Sequence, residues 1–298
     1  MQTETRAHLY IFGANVIYGL NYVIAKVALS AIPPFALVLT RVSIPLFIFG
    51  LLAVTLEKQS VKRKDHIKLF YCGLLGVAAN QLMFIKGLDL TSEIHASLIM
   101  ITTPILVLIM SWFFLRDPLT WKKAIGVLTG AAGVWMLIRS GARDAGSEAT
   151  LGGDLLIMGN AASYALFLVL AKPLMHNYKP FTVTFWLFLY GLIWVLPFGV
   201  PEALHMPWQG YAPGVMWSWA YVVFISTLVV YIMNIIGLKL GNPALVSIYI
   251  YTQPLLATLV AVLLGTDQLT VTMVLAGLLI FTGVALVSRK PVQKESIQ

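Results

Sequence analysis

Leu115-Arg116-Asp117-Pro118-Leu119-Thr120 forms a charged hinge between two long apolar segments, and a looser copy recurs as Leu264-Gly265-Thr266-Asp267-Gln268-Leu269-Thr270. Holding the shift at 150 positions also pairs Leu88 with Leu238, Leu90 with Leu240, Thr102 with Thr252, Pro104 with Pro254, Gly133 with Gly283 and Val134 with Val284. Near the start of each half the shift is 146, matching Gly13 with Gly159, Tyr18 with Tyr164, Ala25-Lys26 with Ala171-Lys172, and Pro34-Phe35 with Pro180-Phe181. Solenoid repeats run to roughly 20–50 residues, so a period this long implies two similar halves packed on each other.

The composition says what surrounds those halves. Hydrophobic residues make up 59% of the chain, charged residues 11%, and the mean hydropathy is +0.86. Globular domains average roughly 45–50% apolar and 25% charged, so this is the composition of an integral membrane protein, with the lipid bilayer as its principal partner. The net charge of +8 is dispersed in short loops and forms no basic face, which excludes a nucleic-acid partner. The single cysteine, Cys72, lies in an apolar run and rules out an intrachain disulfide.

Apolar runs cover 9–31, 34–56, 66–88, 93–115, 121–139, 153–172, 180–200, 214–239, 244–265 and 270–287. About 20 residues at 1.5 Å per residue matches a hydrocarbon core of about 30 Å. Alternation at period two is absent, and only helices satisfy their own backbone in lipid, so the expected fold is all-α with ten transmembrane helices. Ala28-Leu29-Ser30-Ala31 imitates a signal-cleavage site, but the run before it is too long and is interrupted by Asn15, Asn21 and Lys26, so it is expected to remain as a span.

With the N-terminus inside, fifteen of the twenty Lys and Arg residues fall on the cytoplasmic side, which gives an N-in, C-in topology in a bacterial inner membrane. Five spans per half is an odd number, so the second half enters from the opposite side. The Asp117 hinge is then cytoplasmic and the Asp267 hinge external. The expected units are residues 9–139 and 153–287, an inverted five-helix repeat of the kind secondary transporters use, with a substrate site at the bilayer midplane.

The residues Gly87-Leu88-Asp89-Leu90-Thr91-Ser92, His95-Ala96-Ser97-Leu98-Ile99, Thr103-Pro104-Ile105, Leu119-Thr120 and Gly126 to Gly133 together carry a resemblance. They resemble the EamA-type half of the drug/metabolite transporter superfamily, and the second half repeats the pattern more loosely. The family usually has Glu where Asp117 and Asp267 stand. The resemblance implies a ten-helix carrier of two inverted halves that exports amino acids or other small metabolites.

Polar groups inside a span are costly and so are candidates for the transport path. Arg41, about 10 Å inside the second span, either grips a substrate carboxylate or phosphate with a bidentate guanidinium, or braces neighbouring carbonyls. Asn80 and Gln81 in the third span, and Asn15, Tyr18 and Asn21 in the first, form one candidate set. The second half offers Asn160, Tyr164, Trp186, Tyr190, Tyr231, Asn234, Tyr249, Tyr251 and Gln253, whose aromatics suit a flat apolar group carrying a polar tip. Pro104 and Pro254, mid-span and repeat-related, are expected to kink their helices as gating elements. Trp208, Trp217 and Trp219 read as an outer aromatic belt. Gly126, Gly130 and Gly133 mark close helix packing or a homodimer face.

No Asp or Glu lies centrally in a span, which favours facilitated diffusion or exchange over proton antiport. Lys86, Glu93 and His95 offer an outer titrating cluster. A membrane enzyme would need a clustered catalytic set, and none is present; no cofactor or metal is called for. The alternative carrier, an antiporter of phosphate-bearing sugar or nucleotide conjugates, needs several inward basic residues. Beyond Arg41 only Lys26, Lys86 and Lys172 are available.

Overall fold

The computed structural model describes residues 2–91, 93–141, 150–207, 209–263 and 270–288, and every regular element within them is helical. In order they are α1 (Gln2–Leu29), α2 (Pro34–Glu57), α3 (Arg63–Leu90), α4 in two pieces (Glu93–Met100 and Thr102–Leu115), α5 (Trp121–Gly141), α6 (Leu151–Asn177), α7 (Pro180–His205), α8 (Pro213–Leu240), α9 (Pro243–Ile248, a 3-10 turn Tyr249–Tyr251, and Thr252–Leu263) and α10 (Val271–Ser288). α1, α2, α3, α6, α7 and α8 are long and apolar enough to cross a membrane, and Thr102–Leu115 and Val271–Val287 are shorter apolar helices. Outward faces are apolar too: Phe47 is 77% and Leu128 63% exposed, surfaces that lipid accommodates and water does not.

Local signals set the helix ends. Proline stands in the first turn of α2, α7, α8 and α9, where its missing N–H has no helical partner to lose. α4 stops at Arg116, which adopts a left-handed φ of 54°. Asp117 then takes Lys123 Nζ at 3.0 Å, so the charged hinge is a helix stop tied to the first turn of α5. The matching hinge around Asp267 lies outside the described residues.

Exchanging α1–α5 for α6–α10 maps the packing onto itself. α5 lies along α10 and α2 along α7; α3 packs on α6 as α1 does on α8, and α4 on α6 as α1 does on α9. The α5–α10 seam depends on absent side chains. A Cβ on Gly133 would stand 2.8 Å from the Ala276 carbonyl oxygen, and one on Gly283 2.6 Å from that of Gly126. The glycine stripe of α5 is therefore filled by α10 and by the Tyr251 ring of the same chain, and this face is not free to form a homodimer.

α2 and α7 cap each other. Glu57, at the end of α2, accepts hydrogen bonds from the Phe181 and Thr182 amides at 3.1 and 2.7 Å, at the start of α7. Glu202, late in α7, accepts from the Phe35 and Ala36 amides at 2.6 and 3.0 Å, at the start of α2. Each carboxylate satisfies orphan N–H groups at the positive end of the partner helix.

The helices are interrupted about one turn before the matched prolines Pro104 and Pro254: α4 breaks at Ile101 and α9 turns 3-10 at Tyr249–Tyr251. Each proline then sits in the first turn of the resumed helix, where no hydrogen bond is lost. Trp219 is not part of a surface belt, because its indole Nε1 donates to Thr40 Oγ1 at 3.1 Å and ties α8 to α2. Trp217 is 77% exposed, as a belt residue should be, and Trp208 lies outside the described residues.

Candidate functional site

A cavity of about 60 Å³ lies between the halves, lined by Asn15, Tyr18, Asn21, Tyr22, Arg41, Asn80, Gln81, Phe84, Met100, Asn160, Tyr164, Tyr231, Asn234, Val246, Ile250 and Gln253. One water needs roughly 10–15 Å³ by this kind of measure, so the space holds several. Its wall combines amides, phenols and one guanidinium with an apolar patch of Phe84, Met100, Val246 and Ile250.

Two helical irregularities adjoin this wall. Leu74–Ala79 in α3 and Tyr221–Val229 in α8 are wound as π-helix, a local widening that frequently accompanies function. Carbonyls in or beside these stretches take side-chain donors: Leu75 accepts from Ser163 Oγ at 2.7 Å, Asn80 from Asn160 Nδ2 at 2.7 Å, Gly76 from the Tyr231 hydroxyl at 2.6 Å and Val222 from Thr227 Oγ1 at 2.7 Å. Gly76 is required here, since a Cβ would collide with the Phe167 ring.

Arg41 is 4% exposed, and its Nε donates to Thr227 Oγ1 at 2.9 Å. Its Nη1 is buried without a hydrogen-bond partner. Among the described residues that line the cavity there is no carboxylate, so the guanidinium charge has no counter-ion there. A buried charge is stable only when paired. Asn21 Oδ1 and Gln81 Oε1, also on the wall, are likewise buried without a partner. The site thus presents one cationic donor and two amide acceptors. Asn15 and Gln253 are mutually engaged, Gln253 Nε2 donating to Asn15 Oδ1 at 2.7 Å across α9 and α1.

Of the candidates read from sequence, Tyr18, Asn21, Arg41, Asn80, Gln81, Asn160, Tyr164, Asn234 and Gln253 converge on the cavity, with Asn15 and Tyr231. Trp186 and Tyr190 do not. They stack on each other at 5.6 Å, and Tyr190 holds His66 Nδ1 at 2.8 Å, in a separate aromatic cluster with Phe70 and Trp194. They lie at another depth: their partners His66 and Phe70 precede the cavity residue Asn80 by several turns of α3, roughly 15–20 Å along the helix. Tyr251 is also off the wall, its hydroxyl donating to the Ile101 carbonyl at 3.0 Å, where it bridges the break in α4. Tyr249 pairs with His8 Nδ1 at 2.6 Å. Of the outer titrating cluster only Lys86 is described, and it pairs with Asp89 at 2.7 Å; the Glu93 and His95 side chains lie outside what is described. Tyr22, Phe84, Met100, Val246 and Ile250 were missed, and of these Tyr22, Phe84 and Ile250, each about one helical turn from a named polar residue of the wall, carried a usable signal. No group of three or more His, Cys, Asp or Glu among the described residues is placed to hold a metal.

Comparison with known proteins fits this architecture. The model of the EamA-like transporter family matches residues 5–139 and again 151–289. The uncharacterized transporter YetK of Bacillus subtilis is 28% identical over 233 residues, covering 77% of this chain and 69% of that protein. An uncharacterized transporter of Archaeoglobus fulgidus is 26% identical over 273 residues, covering 92% of this chain and 95% of its own. The WAT1-related protein At3g53210 of Arabidopsis thaliana is 24% identical and covers 95% of this chain. A crystal structure of a protein aligns with a TM-score of 0.74 at 19% identity over 95% of this chain and 96% of that one, a likeness of fold alone.

Proposed function

Because this chain belongs to the EamA-like transporter family, we propose that it exports small amphipathic metabolites, amino acids foremost, by alternating access around the central cavity. That it is a multi-pass membrane transporter and not an enzyme follows from the family. The finer reading is a ten-span carrier in a bacterial inner membrane with both termini in the cytoplasm. Its units, 9–139 and 153–287, are inverted relative to each other. The exchange symmetry of the packing and the reciprocal α2–α7 caps support it.

The observation that carries the substrate class is Arg41: buried, on the cavity wall, with an N–H left unpaired and no carboxylate beside it in the wall. A substrate carboxylate supplies the missing counter-charge, the phenols and amides orient it, and the apolar patch takes a side chain. The phosphate-conjugate alternative is disfavoured by the same geometry. Lys86 is spent on Asp89, and Lys172 Nζ is spent on the carbonyls of Leu238, Lys239 and Gly241. A dianion would meet a single cation.

The breaks in α4 and α9, with Pro104 and Pro254 restarting each helix, are suited to gating, because a helix interrupted there bends without losing further hydrogen bonds. The lack of an acidic group on the described cavity wall supports facilitated diffusion or exchange. Counterflow of radiolabelled L-leucine into proteoliposomes, with no pH gradient, tests this. Flux is expected at once; flux only after a gradient is imposed rejects the facilitator reading. Arg41→Ala and Gln81→Ala proteins that insert normally yet transport at the wild-type rate overturn the pocket assignment.

A further inference from the structure

The Gln81 amide has a direction, and its neighbours fix it. Tyr231 has one hydroxyl proton, and it is committed to the Gly76 carbonyl at 2.6 Å. The phenol oxygen can then only accept. Gln81 lies against that oxygen with its amide nitrogen, Nε2 donating at 3.3 Å, so Oε1 is turned the other way, buried and without a partner. Flipping the amide would set its carbonyl against a hydroxyl with no proton to give. Gln81 and Tyr231 occupy matched positions of the two halves, 150 residues apart, so the arrangement straddles their seam.

We propose that Tyr231 is a specificity-determining residue: by holding Gln81, a residue of the cavity wall, with its carbonyl oxygen turned away from the phenol and left to accept, it makes the site demand a substrate that donates N–H, an ammonium, opposite the carboxylate that Arg41 takes. The orphan Asn21 Oδ1 provides a second acceptor on the same wall. The preferred ligand is therefore a zwitterion with an apolar side chain, and the site discriminates against a carboxylate of identical shape that lacks the ammonium. This inference rests on the proposed transport reading and deepens it. A buried acceptor left unpaired by the wrong ligand is a strong discriminator, because that ligand desolvates the group without repairing the loss.

The test uses the purified full-length protein in detergent and measures binding of L-leucine against 4-methylpentanoate, which has the same carboxylate and side chain with a hydrogen in place of the ammonium and so nothing to donate. Wild type is expected to prefer leucine by about tenfold or more, in line with loss of a hydrogen bond to a charged group. Tyr231→Phe keeps the ring and its edge contact with Phe188, centroids 4.8 Å apart, and so keeps the fold. It frees the amide to rotate, and the preference is expected to fall below about threefold. Gln81→Met, similar in shape without an acceptor, is expected to do the same and carries the test should Tyr231→Phe fail to fold. Arg41→Ala weakens both ligands together and leaves the ratio intact. A wild type without preference, or a preference undiminished in both Tyr231→Phe and Gln81→Met, overturns the inference. Unchanged affinities in Arg41→Ala would instead overturn the carboxylate reading.

Discussion

At matched positions the two halves agree along their seams and differ around the cavity. Gly133 and Gly283 both let a backbone approach within van der Waals distance, and Glu57 and Glu202 cap each other's helices in mirror-like fashion. In the cavity Tyr18 and Tyr164 still correspond, but Arg41 faces a Leu187 counterpart, Asn21 a Phe167 and Gln81 a Tyr231. In the proposed carrier cycle the duplication supplies a scaffold that rocks between two equivalent packings, and that scaffold tolerates little change. The ligand is not symmetric, so the wall need not be. One guanidinium suits one carboxylate, and a second at Leu187 would leave an uncompensated buried charge.

The sharpest way to break this contrast is to exchange the two kinds of position. Arg41→Ala is expected to lower leucine transport by about 30-fold or more, the usual consequence of truncating one side of a buried charge pair, at about 2–5 kcal/mol. Leu187→Met, a volume-conserving change at the matched site, is expected to stay within about twofold. Initial rates in proteoliposomes, normalised to inserted protein, decide it. If the two variants lose activity equally, the cavity is not asymmetric in the way described.

On the symmetric side, Gly133→Leu and Gly283→Leu should each destabilise by about 1–3 kcal/mol through overpacking. Thermal unfolding in detergent should show similar losses for both, and a large loss in one alone would deny that α5 and α10 meet reciprocally. Smaller still, Glu57→Ala and Glu202→Ala should each cost about 1 kcal/mol as lost helix caps. The same melting experiment should return near-equal shifts. The smallest effect is expected at Trp186→Phe and Tyr190→Phe, where leucine transport should change by less than about twofold because neither side chain lines the cavity.

The sequence carried the class of fold because hydropathy and period act along the chain. The all-helical class and the burial of Arg41 within an apolar helix were legible for that reason. What was not legible depends on rotation about helix axes and on partners distant in the chain. Trp186 and Tyr190 pack against His66 and Phe70, several turns of α3 away from the cavity. The π-helical stretches that expose the Gly76 and Val222 carbonyls carry no composition signal, since LLGVAA and YVVFISTLV read as ordinary apolar helix. The Glu57 and Glu202 caps were hidden because each pairs with amides more than 120 or 160 residues away. Val246 looks no different from a lipid-facing residue until α9 is set beside α1.

The claim beneath all of this is that one half is inverted relative to the other. Ser30 and His176 stand 146 positions apart at matched ends of α1 and α6, and both are exposed. In a Cys72→Ser background, Ser30→Cys and His176→Cys proteins in sealed, oriented vesicles are treated with a membrane-impermeant maleimide from one side at a time. The account predicts that each reacts from one side only and that the two sides are opposite. Reaction of both from the same side would contradict the inverted arrangement and, with it, the carrier cycle built on it.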